Sequence, residues 1–468
     1  MSSKKNPARS ENNQPDWIGS VPPRVKEVFL AAVRAHSSGN LAEAVTNYSL
    51  ALGLRPEDPV LLTNLGVALR AQDKFKAAEA CYRRALAVKP DNPGALSNLG
   101  NVLRRLGKLK EAVGCHRRAI ELDRKFIDAY YNLGLVLQDL GKLDEAIRLY
   151  NYCLKFKPDD DRVSWDKSLA LLSKGDFING FELYEYRWKH EQLKARHFRQ
   201  PLWDGSSLNG KRIFVYAEQG FGDTLHFCRY IPLLAKAGGR VVFECQTELI
   251  SLLEGLDGVE EIVRDRERLP DFDFQVPLLS LPRIMKHDTK SIPCECPYII
   301  PPAQAGFPVH VPQGTKLKVG IAWAGKPTHK NDHNRSVSIE NFLPFAWLPG
   351  VTLYSLQKGP ESAQRDEAGC GMLVRDLGNG CDDFADTAKV MGQLDLIITV
   401  DTSVAHLAGA LNLPVWVALP YNPDWRWMLK RNDSPWYPSM TLFRQKKPGE
   451  WDPVFKKMLN SLKFRIES

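Results

Sequence analysis

Chemistry in this chain would start at Asp223. It stands in "VYAEQGFGDTLHFCRYIPLL", Val215–Leu234, where an apolar run ends in a turn with two glycines, Gly220 and Gly222. A carboxylate at the tip of such a turn, beyond a strand, can take a proton from a bound hydroxyl. His226 follows on the first turn of the next helix. A second constellation lies in "TVDTSVAHLAGALNLP": a strand ending at Val400, then Asp401, Thr402 and Ser403, then a helix from about Val404 carrying His406. Hydroxyls and free backbone N–H groups at a helix start make an anion site. The loop "WAGKPTHKNDHNRSVSIENF" adds Lys326, Lys330 and Arg335, cations able to neutralise a bound anion. Gln357, Lys358 and Glu361 come from another strand end.

Each of these has a plainer reading. An aspartate at a helix start is a common N-cap, worth about 1 kcal/mol, and a helix terminus lowers its pKa and weakens it as a base. His226 either orients an acceptor or phosphate, or is an ordinary helix-face histidine. The basic loop can be a solvated loop. Trp425 and Trp427, in "NPDWRWML", more often fill core space than stack on a base.

The elements that must position these residues begin at Lys211. Apolar, β-branched runs alternate there with helical stretches: "RIFVYA", "RVVFEC", "EEIVRD" and "FDFQVPLL". After the proline-rich joint "PYIIPPAQAGFPVHVPQG" come "LKVGIAWAG", "VTLYSLQ", "MLVRDL", "LDLIITV" and "PVWVAL". Unalternated runs suit parallel strands covered on both faces. Two such halves predict two Rossmann-like lobes facing a cleft, with ligands beyond the carboxyl ends of the strands. Neither a GxGxxG fingerprint nor a GxxxxGK[ST] loop occurs, which disfavours a dehydrogenase or an NTPase.

The first third is different. Gly66, Gly100 and Gly134 are 34 residues apart, as are Leu65, Leu99 and Leu133, and Ala44, Ala78, Ala112 and Ala146. A period of 34 with small residues at fixed places is the tetratricopeptide pattern. Small residues let two helices approach, Tyr82 and Tyr150 are expected to fill gaps between units, and Pro56 and Pro90 close two units. Four units, the first weak, are expected from about Arg24 to Pro158, with a further helix pair carrying Gly180 as the capping turn. Asn64, Asn98 and Asn132 hold one helix position in three units. They form a ladder able to bond an extended peptide backbone, or else they satisfy neighbouring turns. The expected domains are a disordered tail over 1–20, a solenoid with capping helices over 21–195, a first α/β lobe over 205–305, and a second over 316–468.

Composition sets limits. The chain has 468 residues, 44% hydrophobic and 25% charged, with a net charge of +8. A nucleic-acid binder of this size usually shows a clustered basic face or a recognition motif, and neither is present. The mild basic balance suits an anionic small ligand or an acidic partner. Nine cysteines are scattered except for Cys294 and Cys296, which have no second ligand pair at zinc-like spacing, so reduced thiols of a cytoplasmic protein are expected. The first twenty residues lack a signal-peptide core, and no run of about 18 apolar residues suits a membrane span.

The stretch "GDTLHFCRYIPLL" resembles the start of bacterial heptosyltransferases, and "TVDTSVAHLAGALNLPVWVALPYNPDWRW" resembles their donor-site segment. The resemblance runs from roughly Lys211 to Phe455. It implies glycosyltransferase family 9, a two-lobed GT-B fold, and inverting, metal-independent transfer from a nucleotide-sugar with no other cofactor. It implies that Asp223 is the base beside Gly222, with His226 on the acceptor side. Arg335, Glu361, Asp401, Thr402, Ser403 and His406 would hold the donor. Repeats followed by such a half resemble bacterial tetratricopeptide proteins with a family 9-like C-terminus, some proposed as protein glycosyltransferases. The asparagine ladder resembles that of the O-GlcNAc transferase solenoid, which implies a protein or peptide acceptor. Heptosyltransferases lack repeats, and the basic clusters that hold their phosphorylated lipid are missing here. The expected activity is therefore transfer to a protein acceptor recruited by the repeats. The alternatives are a non-catalytic repeat scaffold with a degenerate GT-B half, or a polysaccharide or lipid-core transferase.

Overall fold

The computed structural model describes residues 21–189, 196–264, 267–329 and 331–467. The expected tail over 1–20 and Lys330 lie outside these residues. The chain divides into two compact units at Val163/Ser164.

The first unit is an α-solenoid of four antiparallel helix pairs: α1 (Pro23–Ser37) with α2 (Leu41–Leu54), α3 (Pro59–Ala71) with α4 (Phe75–Val88), α5 (Pro93–Arg105) with α6 (Leu109–Leu122), and α7 (Ile127–Asp139) with α8 (Leu143–Phe156). Prolines open α1, α3 and α5 at a position where no N–H is needed. Asp58 and Asn92 cap α3 and α5 through their side chains. The 34-residue glycines have a specific partner. A Cβ on Gly66 would lie 2.7 Å from the Tyr82 ring, one on Gly134 2.6 Å from Tyr150, and one on Gly100 2.5 Å from His116. Tyr82 and Tyr150 therefore fill the space inside their own helix pairs, against their own unit's glycine, and His116 takes that place in the third pair. The ring is thick, so the facing residue must be bare.

The second unit is α/β. One sheet has the order β3-β2-β1-β4, from β1 (Arg212–Tyr216), β2 (Arg240–Cys245), β3 (Val259–Arg264) and β4 (Phe274–Pro277). The other has the order β10-β9-β8-β5-β6-β7, from β5 (Leu317–Ala322), β6 (Val351–Ser355), β7 (Val374–Asp376), β8 (Leu396–Val400), β9 (Val415–Leu419) and β10 (Met440–Arg444). All these pairings are parallel. The fold is thus a helical-repeat solenoid followed by a two-lobed, GT-B-like pair of Rossmann-like sheets.

One apolar core joins the two lobes. It contains Ile213, Val215 and Val241 from the first sheet and Ile397, Val415 and Val417 from the second. The helix pair after the repeats, α9 (Asp161–Lys174) and α10 (Phe177–Tyr184), supplies Leu172, Phe177, Phe181 and Tyr184 to the same core. Phe177 stacks on Trp436 at 5.3 Å, and Phe181 meets Trp425 edge-on at 5.6 Å and Phe227 at 6.4 Å. Gly180 allows this close packing, since a Cβ there would sit 2.7 Å from Leu172. The helix pair expected to cap a solenoid ending at 195 therefore packs into the α/β core. Arg187 follows α10 and is fully buried. Its guanidinium bonds Glu218 at 2.7 Å, Glu185 at 2.7 Å and Ser280 at 2.7 Å. Glu218 lies just past β1, and burial pushes its pKa up to about 7 against the pull of Arg187.

Candidate functional site

β1 and β8 aim the two motif turns at each other. After β1 the helix Phe221–Phe227 begins with Gly220 as its N-cap, so Asp223 sits at the third helical position and not at the cap. Its Oδ2 accepts the Gly220 N–H at 3.1 Å. After β8, Thr402 precedes the helix Ser403–Ala410. These two helices pack together, and Gly222 is the point of contact: a Cβ there would lie 3.0 Å from His406 and 3.7 Å from the Ser403 Cα. Glycine is needed here for proximity, not for an unusual φ.

Asp223 is not free. Its Oδ1 receives a hydrogen bond from Arg426 Nη2, on the other lobe. Arg426 also donates from Nη1 to Asp424 at 2.8 Å, and its backbone N–H bonds the same carboxylate at 3.0 Å. The guanidinium lies over the rings of Trp425, at 4.5 Å, and Phe227, at 5.5 Å. Burial raises the Asp223 pKa, and Arg426 opposes that rise.

His226 and His406 are buried and converge on one hydroxyl. The Nδ1 atoms lie 2.9 Å and 3.0 Å from the Tyr437 oxygen. A single O–H can donate to one of them only, so the other imidazole carries its proton on Nδ1 and donates to the tyrosine. Burial drives both pKa values well below the usual histidine range, helped by Arg229 at His226 and by Arg426 at His406. The two rings are therefore neutral and structurally engaged across the lobe boundary. Arg229, one turn on, donates to the carbonyls of His226 at 2.7 Å and Trp436 at 2.7 Å. Trp427 stacks on His406 at 5.1 Å, and Trp425 and Trp427 are both core residues.

Asp401 is buried, and its pKa rises to about 6 through burial and the nearby Asp424 carboxylate. Thr402 contacts Thr399 at 3.3 Å. Arg335 is held by Asp332 at 3.3 Å and lies so close to Gly325 that a Cβ there would meet its Nη2 at 2.5 Å. Its charge reaches Asp401 and His406. Lys326 is exposed. Gln357 clamps the loop after β5, accepting the N–H groups of Trp323 and Ala324 at 3.0 Å each and donating to the Ala324 carbonyl at 3.1 Å. Glu361 follows Gly359 in the turn beyond β6 and accepts from Gln364.

The structure thus gathers Gly222, Asp223, His226, Ser403 and His406, and places Asp401 and Arg335 within electrostatic reach. Sequence reasoning missed Arg426, Tyr437 and Asp424. An arginine between two tryptophans in "PDWRW" was the available signal, since a cation among aromatic rings in a core needs a carboxylate partner. Among the described residues no group of three or more His, Cys, Asp or Glu suits a metal ion, and no helix is long and apolar enough to cross a membrane. All nine cysteines are free thiols.

In the first unit, Asn98 and Asn132 line a cavity of about 720 Å³ together with Arg70, Asn101, Lys157 and Arg162. Asn132 donates to Ser97 at 3.2 Å, and Ser97 reaches the buried His116 at 3.5 Å. Asn64 instead turns its amide onto the Val60 carbonyl of its own helix, at 2.9 Å. Two of the three ladder amides therefore face one cavity.

Comparison with known proteins gives the following. The TPR repeat family matches residues 68–107 and 100–141, and the tetratricopeptide repeat family matches residues 127–160. Protein FlbA of Caulobacter vibrioides is 24% identical over 328 residues, covering 64% of this chain and 55% of FlbA. The chain spans about half the length of that relative. The matched share exceeds the Met1–Val163 unit, so the similarity reaches into the α/β unit. Among solved structures, the chain is similar to YrrB, described as a TPR protein with an unusual peptide-binding site, at 22% identity over 35% of this chain and 84% of that one, with a TM-score of 0.30. It is also similar to MamA from Desulfovibrio magneticus RS-1, at 19% identity over 36% and 98% of the two chains, with a TM-score of 0.34.

Proposed function

We propose that this chain is a repeat scaffold whose first unit holds an extended polypeptide segment and whose GT-B-like half binds a nucleoside-diphosphate ligand without turnover. The observation that carries this reading is the state of Asp223. Both of its oxygens are engaged, one by Arg426 and one by the Gly220 N–H. Pairing with the Arg426 guanidinium holds down the basicity that a proton acceptor needs. His226 and His406 are likewise committed to Tyr437. The continuous core between the lobes supports a body that stays closed. In the repeat unit, Asn98, Asn101 and Asn132 offer amide donors and acceptors to a peptide backbone at a single cavity.

The second reading is an inverting, metal-independent glycosyltransferase that modifies the recruited protein. One observation favours it: the two motif turns do meet, with Gly222 against His406 and Ser403. In that reading Asp223 is the base, and Thr402, Ser403 and Arg335 hold the diphosphate.

Donor hydrolysis and transfer across a panel of nucleotide-activated sugars separate the two. The scaffold reading expects no turnover from the full chain, with EDTA making no difference. Turnover that the Asp223→Asn protein loses by about 100-fold or more would replace it with the transferase reading.

A further inference from the structure

The guanidinium of Arg426 is only half used on one edge. Its Nη1 side serves Asp424, and its Nη2 serves Asp223. The Nε on the same edge as Nη2 is buried and has no hydrogen-bond partner among the described residues. Arginine forks pair best with an oxyanion that spans Nε and Nη2 with two oxygens. Asp223 cannot do this, because its other oxygen is held by the Gly220 N–H at 3.1 Å. Arg426 is 6% exposed, so the unmatched donor is costly where it sits. Asp424 holds both Nη1 and the backbone N–H of Arg426, whereas Asp223 meets the guanidinium at Nη2 alone and is the partner able to leave.

From this half-filled edge we infer that Arg426 is an exchange site: a phosphate-bearing ligand takes the Nε–Nη2 fork in two-point contact and displaces Asp223. Asp424 keeps the guanidinium in place through the exchange. The Trp425 and Phe227 rings hold its plane, and Arg335 lies within electrostatic reach of the same cluster. No bond is made or broken. One oxyanion replaces another, and the Asp223 carboxylate keeps its bond to the Gly220 N–H. Entry of the ligand and exposure of the carboxylate would then be one event. The inference rests on the reading that this half takes a phosphate-bearing ligand, which the scaffold and transferase readings share.

Inorganic pyrophosphate is the probe, titrated calorimetrically into the full chain. Asp223→Asn removes the competing charge, so pyrophosphate should bind about three- to tenfold more tightly. Arg426→Lys keeps the charge but loses the fork, so binding should weaken by about tenfold or more. The opposite signs are the signature of exchange. If Asp223→Asn leaves the affinity unchanged, exchange is wrong even when Arg426→Lys weakens binding. If the parent binds and neither variant alters it, the ligand sits elsewhere and only this inference falls. If neither the parent nor Asp223→Asn binds pyrophosphate, both the inference and the phosphate-ligand reading fall. Circular dichroism checks the fold of the Arg426 variant. Should it misfold, the Asp223→Asn arm decides alone.

Discussion

Asp223 and His116 show how a residue's surroundings change what its type suggests. The sequence suggests that Asp223→Asn would leave stability nearly unchanged, because asparagine also caps helices. The ion pair with Arg426 revises that. Taking one member from a buried pair strands the other, at about 3–5 kcal/mol when burial is complete. With Asp223 22% exposed, solvent screens part of the loss, and Asp223→Ala should cost about 1–3 kcal/mol in urea unfolding. A cost below 0.5 kcal/mol would mean that the pair contributes nothing. His116 occupies the site held by Tyr82 and Tyr150 in the flanking units, and burial, aided by Arg104, lowers its pKa to about 4. The sign follows from proton counts. Below the unfolded value of about 6.5 the unfolded chain binds the proton and the folded chain does not. Stability is thus fully present above about pH 6.5 and declines as pH falls toward 4. At pH 5 the loss is about 2 kcal/mol, at 1.36 kcal/mol for each unit of difference. His116→Tyr restores the tyrosine pattern and should flatten this decline in the first unit, as measured by thermal melts between pH 5 and 8. An unchanged slope would point to other groups.

At the scale of elements, repeats and strand positions were legible because their patterns are periodic and local. Nine of the ten strands among the described residues coincide with unalternated apolar runs. The tenth, Met440–Arg444, is an edge strand in which Thr441 and Arg444 break the run. The glycine positions were legible as small residues, but their partners were not. A spacing of 34 gives no sign of whether a ring faces its own unit or the next. The site was legible as two turns and illegible as a network, since Arg426 lies 203 residues from Asp223 and only the tertiary fold unites them. The packing gives one substitution two opposite outcomes. Gly134→Ala drives a Cβ to 2.6 Å from the buried Tyr150, so overpacking of about 1–3 kcal/mol should outweigh the gain of about 1 kcal/mol in helix propensity. Gly114, inside α6, has nothing within 4 Å of its Cβ position, so Gly114→Ala should stabilise by about 0.5–1 kcal/mol. Denaturant titration of the two variants should give shifts of opposite sign. Shifts of the same sign would show that ring packing does not govern these positions.

For the whole molecule, the division of the chain is a physical question with a direct test. A reading by rhythm adds the fifth helix pair to the solenoid as its capping turn and ends that domain at 195. The contacts divide the chain at Val163/Ser164 instead. The reason is apolar area. Phe177, Phe181 and Tyr184 are each nearly fully buried against Trp425, Trp436 and Phe227, and Arg187 is buried among Glu185, Glu218 and Ser280. Removing these helices would uncover a cluster of large aromatic rings and leave Glu218 buried without its cation, a charge loss of several kcal/mol on its own. Burial of a single phenylalanine contributes about 1.5–3 kcal/mol, so two phenylalanines and a tyrosine together rival the net stability of a typical domain. A fragment beginning at Asp161 keeps α9 and α10 whole. It should fold as a soluble species with one cooperative transition and native near-ultraviolet circular dichroism from its tryptophans. A fragment beginning at Gly205 keeps both sheets and every residue of the candidate site. It should nonetheless aggregate, or melt at least 10 °C lower, and bind a hydrophobic dye. Equal melting of the two fragments would mean that α10 is an accessory to the α/β unit and not part of its core. A shorter fragment that alone is unstable would set the working boundary of the unit ahead of α10, within the helix that leaves the repeats.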